Sequence, residues 1–304
     1  MIYTITLNPS IDYYVYLDDL KKGYINRIND YKFIAAGKGI NVSRMLSKMN
    51  ISSTCIFPKG GFSGDFLLDE LKKDENVVCR TVEILQPNRI NVKIRHGDET
   101  DLNLAGPQLD LDTQKKLFQL VSDVSCDDAV IISGSIQHGL YPLVKQIADY
   151  ANSKNAKLVL DIPNLTLQQI ISCKPSLIKP NMEELQSLLD SKKQLSEMVD
   201  EIKTKMISQG IERVLVSLSD KGAFYIDDKQ QYMITTEKVS VVNTVAAGDS
   251  MVAVVVGKLS ENCDIRTALK YGVSAGTAAV LVEYLPEEKD IQRIYEGVNI
   301  EEFQ

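Results

Sequence analysis

The sequence predicts an α/β fold: a doubly wound, mostly parallel sheet with helices on both faces, plus a small β-sheet lid. Three observations carry this reading. Short runs rich in aliphatic and β-branched residues alternate with amphipathic helical stretches along nearly the whole chain, the order that builds βαβ units. These runs lack polar alternation, as strands covered on both faces do. Two further regions alternate polar and apolar residues with little helix between them, as a half-exposed sheet does.

In order, buried strands are predicted at residues 2–7, 54–57, 129–133, 158–162, 177–179 and 214–217. Helical periodicity covers 39–49, 64–73, 113–123, 140–153, 182–189 and 197–208, then 248–259, 265–281 and 287–296. The lid strands are expected at 13–17, 24–34, 89–95 and 100–104, forming a small antiparallel sheet over one edge of the core. No Pro/Gly/Ser-rich linker, repeat or low-complexity tract interrupts the chain. Residues 1–304 are therefore expected to be one unit, with the lid inside about 13–34 and 89–104.

Composition narrows the function classes. With 44% hydrophobic residues in 304, burial offsets chain entropy and disorder is excluded as the dominant state. Lys plus Arg number 34 against 41 Asp plus Glu, a formal charge of −7. Such a chain repels nucleic acid and anionic membrane on average, yet leaves room for a local basic pocket around a small phosphate. The apolar run at 251–256 is among the longest and far too short to span a bilayer. The N-terminus carries no basic n-region, and the expectation is a cytoplasmic protein. The 5 cysteines form no CxxC and the 2 histidines no HExxH. Isolated thiols in a reducing compartment are expected, and a transition-metal enzyme is not.

Four stretches carry chemistry. In V-V-N-T-V-A-A-G-D-S-M-V-A (241–253), Ala246, Ala247 and Gly248 precede Asp249 and an apolar helix. Small residues at a helix N-terminus let backbone N–H groups approach an anion. Asp249 could then be the base beside that anion or simply an N-cap. In A-A-G-K-G-I-N-V-S-R-M-L (35–46), Gly37 and Gly39 flank Lys38 ahead of a helix. This is neither a Walker A loop nor GxGxxG, and a turn with an exposed lysine is the plain alternative. In L-I-K-P-N-M-E-E-L (177–185), Asn181 and Glu184 have the spacing of a capping box. The same pair at a strand's carboxyl end could order Mg²⁺-bound waters. Finally, V-S-L-S-D-K-G-A-F (216–224) is a strand entering a tight turn, either a ligand-binding edge or a hairpin.

Together and in this order, these stretches resemble the ribokinase-like carbohydrate kinases, the PfkB family. The resemblance spans essentially the whole chain. It includes T-L-N-P-S-I-D (6–12), G-K-G-I-N (37–41), G-G-F-S-G (60–64), R-I-N-V-K-I (89–94) and S-G-S (133–135). It continues with K-P-N-M-E-E-L (179–185), A-G-D-S-M-V-A (247–253) and S-A-G-T-A-A (274–279). The first, second and fourth of these are similar to the branch that acts on sugar phosphates.

The resemblance implies ATP-dependent phosphoryl transfer, with Mg²⁺, to a phosphorylated ketohexose. Fructose 1-phosphate is the expected acceptor, with fructose 6-phosphate and tagatose 6-phosphate as alternatives. It implies that Asp249 is the catalytic base and that Ala246, Ala247 and Gly248 form the anion hole. Asp12, Gly37, Lys38, Asn41, Arg89 and Asn91 match sugar-phosphate contacts, with Arg27 and Ser135 as additions. Lys179, Asn181, Glu184, Ser217, Ser219, Gly222, Gly248 and Gly276 match the nucleotide side, and Asn181 with Glu184 would organise Mg²⁺ through water. The apolar faces of the lid strands exceed what so small a sheet can cover, and the resemblance points the same way: a homodimer through the lid is expected, with Arg27 reaching the neighbouring site.

Three positions depart from the family pattern: Ala36, Ser219 and Ala246 stand where glycine is usual. An added Cβ matters where φ is positive. With ordinary negative φ these residues would leave a working but slower enzyme. The competing class is a sugar-phosphate sensor that kept the pocket and lost turnover. Retention of Asp249, Asn181 and Glu184 favours the kinase.

Overall fold

The computed structural model describes residues 1–28, 30–96 and 98–303. In chain order the elements are β1 (Ile2–Ile5), β2 (Ser10–Tyr16), β3 (Asp30–Ala36), α1 (Lys38–Lys48), β4 (Ser53–Lys59), α2 (Gly61–Leu71) and β5 (Val77–Glu83). They continue with β6 (Arg89–His96), β7 (Asp98–Leu102), α3 (Leu111–Gln119), β8 (Ala129–Ser133), α4 (Tyr141–Ser153), β9 (Lys157–Asp161) and α5 (Leu167–Cys173). Then follow β10 (Leu177–Ile178), α6 (Met182–Leu189), α7 (Leu195–Lys205), β11 (Val214–Ser217), β12 (Ala223–Ile226) and β13 (Gln231–Thr235). The C-terminal part holds α8 (Ala247–Ser260), α9 (Ile265–Ala279), α10 (Glu288–Tyr295) and β14 (Asn299–Glu302).

Among the described residues these strands form a 10-stranded sheet, ordered β14-β13-β12-β11-β10-β9-β8-β1-β4-β5, and a 4-stranded sheet, ordered β3-β2-β6-β7. From β11 through β5 every pairing in the large sheet is parallel, and β12, β13 and β14 extend it antiparallel. Side chains alternate between two apolar layers. Val130 and Ile132 join residues of α3, α4, α6 and α7, whereas Ala129 and Ile131 join residues of α1, α8, α9 and α10. The period of 2 within β8 thus becomes a covered face on each side.

The winding direction places the site. From β1 the chain moves outward through β4 to β5, then returns to β8 on the other side of β1 and proceeds to β11. The order reverses between β1 and β8, and ligands of open α/β sheets lie beyond the carboxyl ends at such a switch. That crevice is bordered by residues 6–8 and 133–135. Helix α1 begins above it: a Cβ on Gly39 would lie 2.5 Å from Thr6 Oγ1 and 3.2 Å from Ser133 Oγ.

Several expected boundaries need correction. The strand expected at 24–34 begins at Asp30, and Asn29 lies outside the described residues. Asn26 folds the preceding segment into a loop instead, accepting from Lys21 N at 2.8 Å and donating to Lys21 O at 3.0 Å. The lid is not wholly antiparallel, since β2 and β6 run parallel. Between them the chain passes through β3, α1, β4, α2 and β5, and so long a connection can re-enter the lid in the same direction. Sequence patterning also missed β5, β12, β13, β14 and α5. The β5 segment alternates like an edge strand, and α5 is a short helix whose Thr166–Gln169 capping box was its readable mark.

Candidate active site

Helix α8 starts at the C-terminal side of the crevice. It is buried continuously from Asp249 to Gly257, so its apolar run is central rather than amphipathic. Its N-cap, Ala246, is left-handed at φ 63°, and Ser250 N donates to Ala246 O at 2.8 Å. The N–H groups of Ala247, Gly248 and Asp249 precede that first bond and have no carbonyl within the helix. They form the open positive end of a buried helix. The Asp249 carboxylate sits in the same turn and accepts from Asn41 Nδ2 at 2.7 Å. Burial pushes its carboxyl up to about 6, Lys38 pulling the other way.

Lysines crowd this point. Lys38, first residue of α1, donates to Asp161 Oδ1 at 3.0 Å, and buried Lys179 lies 3.8 Å from Asp161 Oδ2. Burial opposes the Lys38 charge, but Asp161 and Asp249 more than offset it and hold the ammonium protonated. A Cβ on Gly248 would come 3.0 Å from Lys179 Nζ, which places that ammonium at the N-terminus of α8. A narrow cleft lined by Asp161, Lys179, Pro180 and Glu184 continues from it.

On the lid side, Asn91 Nδ2 donates to Asp12 Oδ1 at 2.8 Å and to Ser10 Oγ at 3.1 Å, and Leu104 N donates to Asn91 Oδ1 at 3.2 Å. Arg89 donates to two carbonyls, Asn8 O at 3.2 Å and Leu104 O at 3.0 Å. Burial lowers its pKa, opposed by Asp12. Among the described residues no carboxylate is bonded to it, which leaves its charge available to an anion. Gly37 caps α1 at φ 136°, and a side chain there would meet Thr6 Cγ2 at 2.8 Å. Ser135 follows β8 at the mouth of the crevice and is half-buried.

Arg27 is not brought to this cluster. It lines a separate cleft with Tyr16, Asp18 and Arg95 at the outer end of the lid. That is about 20 Å along β2 from Ser10, at ~3.3 Å per residue.

The opposite flank is built from backbone. Asn181 and Ser217 bridge in parallel register, and Ser217 N donates to Pro180 O at 3.0 Å. The chain then turns through 219–221 into β12, so the hairpin reading of this stretch holds. Gly222 has φ 88°, and a Cβ there would overlap Ile234 O at 2.0 Å. Gly276 is buried under α8, with Ala247 O 3.2 Å from its would-be Cβ. It sets the approach of α9 to the N-terminus of α8.

The capping box at Asn181 and Glu184 is fully formed, each side chain accepting from the other's N–H at 2.8 Å. Among the described residues nothing donates to Glu184 Oε1, and this hard oxygen near Lys38 and Lys179 fits a role in ordering Mg²⁺-bound water. Among the described residues no group of 3 or more acidic, Cys or His side chains could cage a metal. Mg²⁺ would therefore reach the protein mainly through phosphate and water.

At two of the three departures the backbone is left-handed, the case in which an added Cβ matters. Ala246 has φ 63° and Ser219 φ 56°, whereas Ala36 ends β3 as ordinary strand. Sequence reasoning also missed Asp161, the clamp between Lys38 and Lys179; its mark was a carboxylate ending the buried run L-V-L-D. It missed Thr6, Asn8 and Ser133, whose Oγ1, Oδ1 and Oγ atoms are buried without a hydrogen-bond partner. Such atoms converging on a crevice suit ligand hydroxyls. Tyr284 was missed for want of any motif.

Chemically, a carboxylate titrating near neutrality adjoins free helix N–H groups and two ammonium ions. It can take a proton from a hydroxyl while the N–H groups and lysines stabilise charge on a transferring phosphoryl group.

A pfkB family carbohydrate kinase profile matches residues 5–287. The chain is 34% identical to 1-phosphofructokinase of Bacillus subtilis over 99% of both chains. It is 32% identical to D-tagatose-1-phosphate kinase of Bacillus licheniformis, again over 99% of both. The structure of phosphofructokinase-2 from Escherichia coli in complex with substrates and products superposes with a TM-score of 0.89 at 30% identity, covering 97% of this chain and 98% of that one. Motifs, fold and matches over the full length agree that the chain belongs to the pfkB family of carbohydrate kinases.

Proposed function

We propose that this kinase transfers the γ-phosphoryl group of MgATP to the free primary hydroxyl of fructose 1-phosphate, giving fructose 1,6-bisphosphate and ADP. The observation that carries the reading is buried Asp249 at the open N-terminus of α8, beside Lys38 and Lys179. Asp249 takes the hydroxyl proton as the sugar oxygen bonds to phosphorus and the bond to the ADP oxygen breaks. The N–H groups of Ala247, Gly248 and Asp249 and the two ammonium ions hold the charge. Arg89, Asp12 and Asn91 face the sugar phosphate, and Ser217 to Gly222 flank the nucleotide. Asn181 and Glu184 would hold Mg²⁺ through water, and the ion would supply charge neutralisation.

Two relatives named for 1-phosphate sugars, one of fructose and one of tagatose, support the 1-phosphate over the 6-phosphate. The test is kcat/KM, by ADP release, across the 1- and 6-phosphates of fructose and tagatose. A 6-phosphate preferred tenfold or more overturns the acceptor. Binding without ADP release for every sugar overturns the kinase in favour of a sensor.

We further place the enzyme in the cytoplasm as a homodimer through the lid. No helix among the described residues is long and apolar enough to cross a membrane. The register aligns Tyr13, Phe33 and Val92 on one lid face, with Val15, Tyr31 and Ile94 beside them. Tyr31 and Phe33 remain 55% and 48% exposed, an apolar face that a two-fold copy would cover. Arg27, remote from its own Asp249, would then serve the partner's site. Sedimentation showing a fully active monomer at micromolar concentration overturns both the dimer and the shared role of Arg27.

A further inference from the structure

Tyr284 lies in the segment after α9 and belongs to none of the motifs. Its hydroxyl is 2.5 Å from Asn41 Oδ1 and 3.1 Å from Ala35 O at the end of lid strand β3. Asn41 in turn donates from Nδ2 to Asp249 Oδ2 at 2.7 Å. A hydroxyl has one proton, and both of its neighbours here are acceptors, so the shorter contact identifies Asn41 Oδ1 as the main recipient. That bond decides the orientation of the amide: with Oδ1 turned to Tyr284, only Nδ2 can face the carboxylate. The ring is itself fixed, with the Arg44 guanidinium 5.2 Å from its centroid and Arg44 Nε anchored to Asp74 at 3.1 Å.

From this we infer that Tyr284 is a positioning residue for the base: it locks the Asn41 amide so that Asn41 donates to Asp249 Oδ2 and leaves Oδ1 to receive the substrate proton. The inference rests on Asp249 being the base. Without the phenol the amide can rotate and present its oxygen to the carboxylate, which favours the protonated acid and leaves less of it ionised to accept a proton. The charged groups facing Asp249 are Lys38, Asp161 and Lys179, and those facing Tyr284 are Arg44, Asp12 and Asp249. All of them stay in place when only the hydroxyl is removed. Because Ala35 is the second acceptor, the same hydroxyl also ties the lid strand to the base.

The test is Tyr284→Phe, which keeps the ring against Arg44. We expect kcat to fall about five- to tenfold, the weight of one buried hydrogen bond, with both KM values unchanged. The acid limb of the kcat–pH profile should move up by about half a unit. In an Asn41→Ala background, Tyr284→Phe should cost nothing further, since its route to the base is already gone. An unmoved acid limb, or equal losses with and without Asn41, overturns the inference and leaves Tyr284 as packing. Should Tyr284→Phe lose its fold, read by circular dichroism, the kcat–pH profile of Asn41→Ala decides: an unmoved acid limb there overturns the lock. Asp249→Asn separates the two readings. If it stays active, the assignment of the base fails. If it is dead while Tyr284→Phe behaves as wild type, only the lock fails.

Discussion

The two flanks of Asp249 are made of different material. The lid flank is an interlocked set of side chains: Asn91 on Asp12 and Ser10, Arg89 on two carbonyls, Lys38 on Asp161. The flank proposed for the nucleotide is mostly backbone: helix N–H groups, the bridge from Asn181 to Ser217, and turns at Ser219 and Gly222 whose φ is positive. Side chains recognise by charge and shape, so changes there should alter which sugar binds and how tightly. Backbone recognises by conformation, so changes there should act through strain and Cβ overlap. Asp249 is the seam between them, and substitutions can test how clean that division is.

The largest effect is expected at the seam. Asp249→Asn should lower kcat about 10²–10⁴-fold with modest change in either KM, the usual weight of a general base. In the parent enzyme kcat should rise with pH through about 6, where Asp249 loses its proton. The same raised value acts on stability with the opposite sign. Folding favours the protonated acid, so this contribution is fully present below the unfolded value of 3.8 and is lost as pH rises through about 6. A shift of that size corresponds to about 3 kcal/mol. Asp249→Asn should therefore raise the Tm at pH 7.5 and leave it nearly unchanged at pH 4. A drop in Tm at both pH values would show that the carboxylate is a structural cap rather than a strained base.

On the lid flank, Arg89→Ala should raise KM for the sugar phosphate about 10- to 100-fold, the range of a charged hydrogen bond of 1.5–3 kcal/mol, and leave KM for ATP within about twofold. Lys38→Ala sharpens the comparison, because Lys38 borders Asp249 as well as Asp161. It should raise the sugar KM and also lower kcat. Equal effects of Arg89→Ala on both substrates would erase the proposed division.

On the nucleotide flank, Gly222→Ala is the counterpart. A Cβ 2.0 Å from Ile234 O at φ 88° cannot be accommodated without moving the turn. The cost is about 1–3 kcal/mol from backbone conformation alone. KM for ATP should rise severalfold and the Tm fall, with the sugar KM unmoved. Steady-state kinetics with each substrate varied in turn reads all of these substitutions.

The same contrast explains what was legible beforehand. Buried parallel strands and their helices show as apolar runs and periodicity, so β8, β11 and α6 were placed correctly to the residue. The antiparallel edge β12–β14 was not: β14 is N-I-E-E, short and mostly exposed, and its place depends on pairing with β13 rather than on its own pattern. In the site, residues with motifs could be named, from Lys38 to Asp249. Residues defined only by three-dimensional convergence could not: Asp161 is known by the two lysines around it, and Tyr284 by an amide 243 positions away. Backbone conformation was the least legible of all. Nothing in the letters of Ser219 or Ala246 shows a left-handed φ.

Those two conformations supply the subtlest test of the division. Ala246 at φ 63° and Ser219 at φ 56° occupy a region that costs a non-glycine residue about 1 kcal/mol each. Replacing alanine by glycine at an ordinary position usually destabilises, because glycine has more chain entropy to lose. Here relief of the left-handed strain works against that loss. Ala246→Gly and Ser219→Gly should therefore leave stability unchanged or raise it by up to about 1 kcal/mol, read as Tm in thermal melts. Both changes lie on the backbone flank, so any gain in turnover should come with a lower ATP KM and an unchanged sugar KM. A clear loss of stability in both variants would mean that these residues sit comfortably as they are. A change confined to the sugar KM would mean that the two flanks are coupled across Asp249 rather than joined only at it.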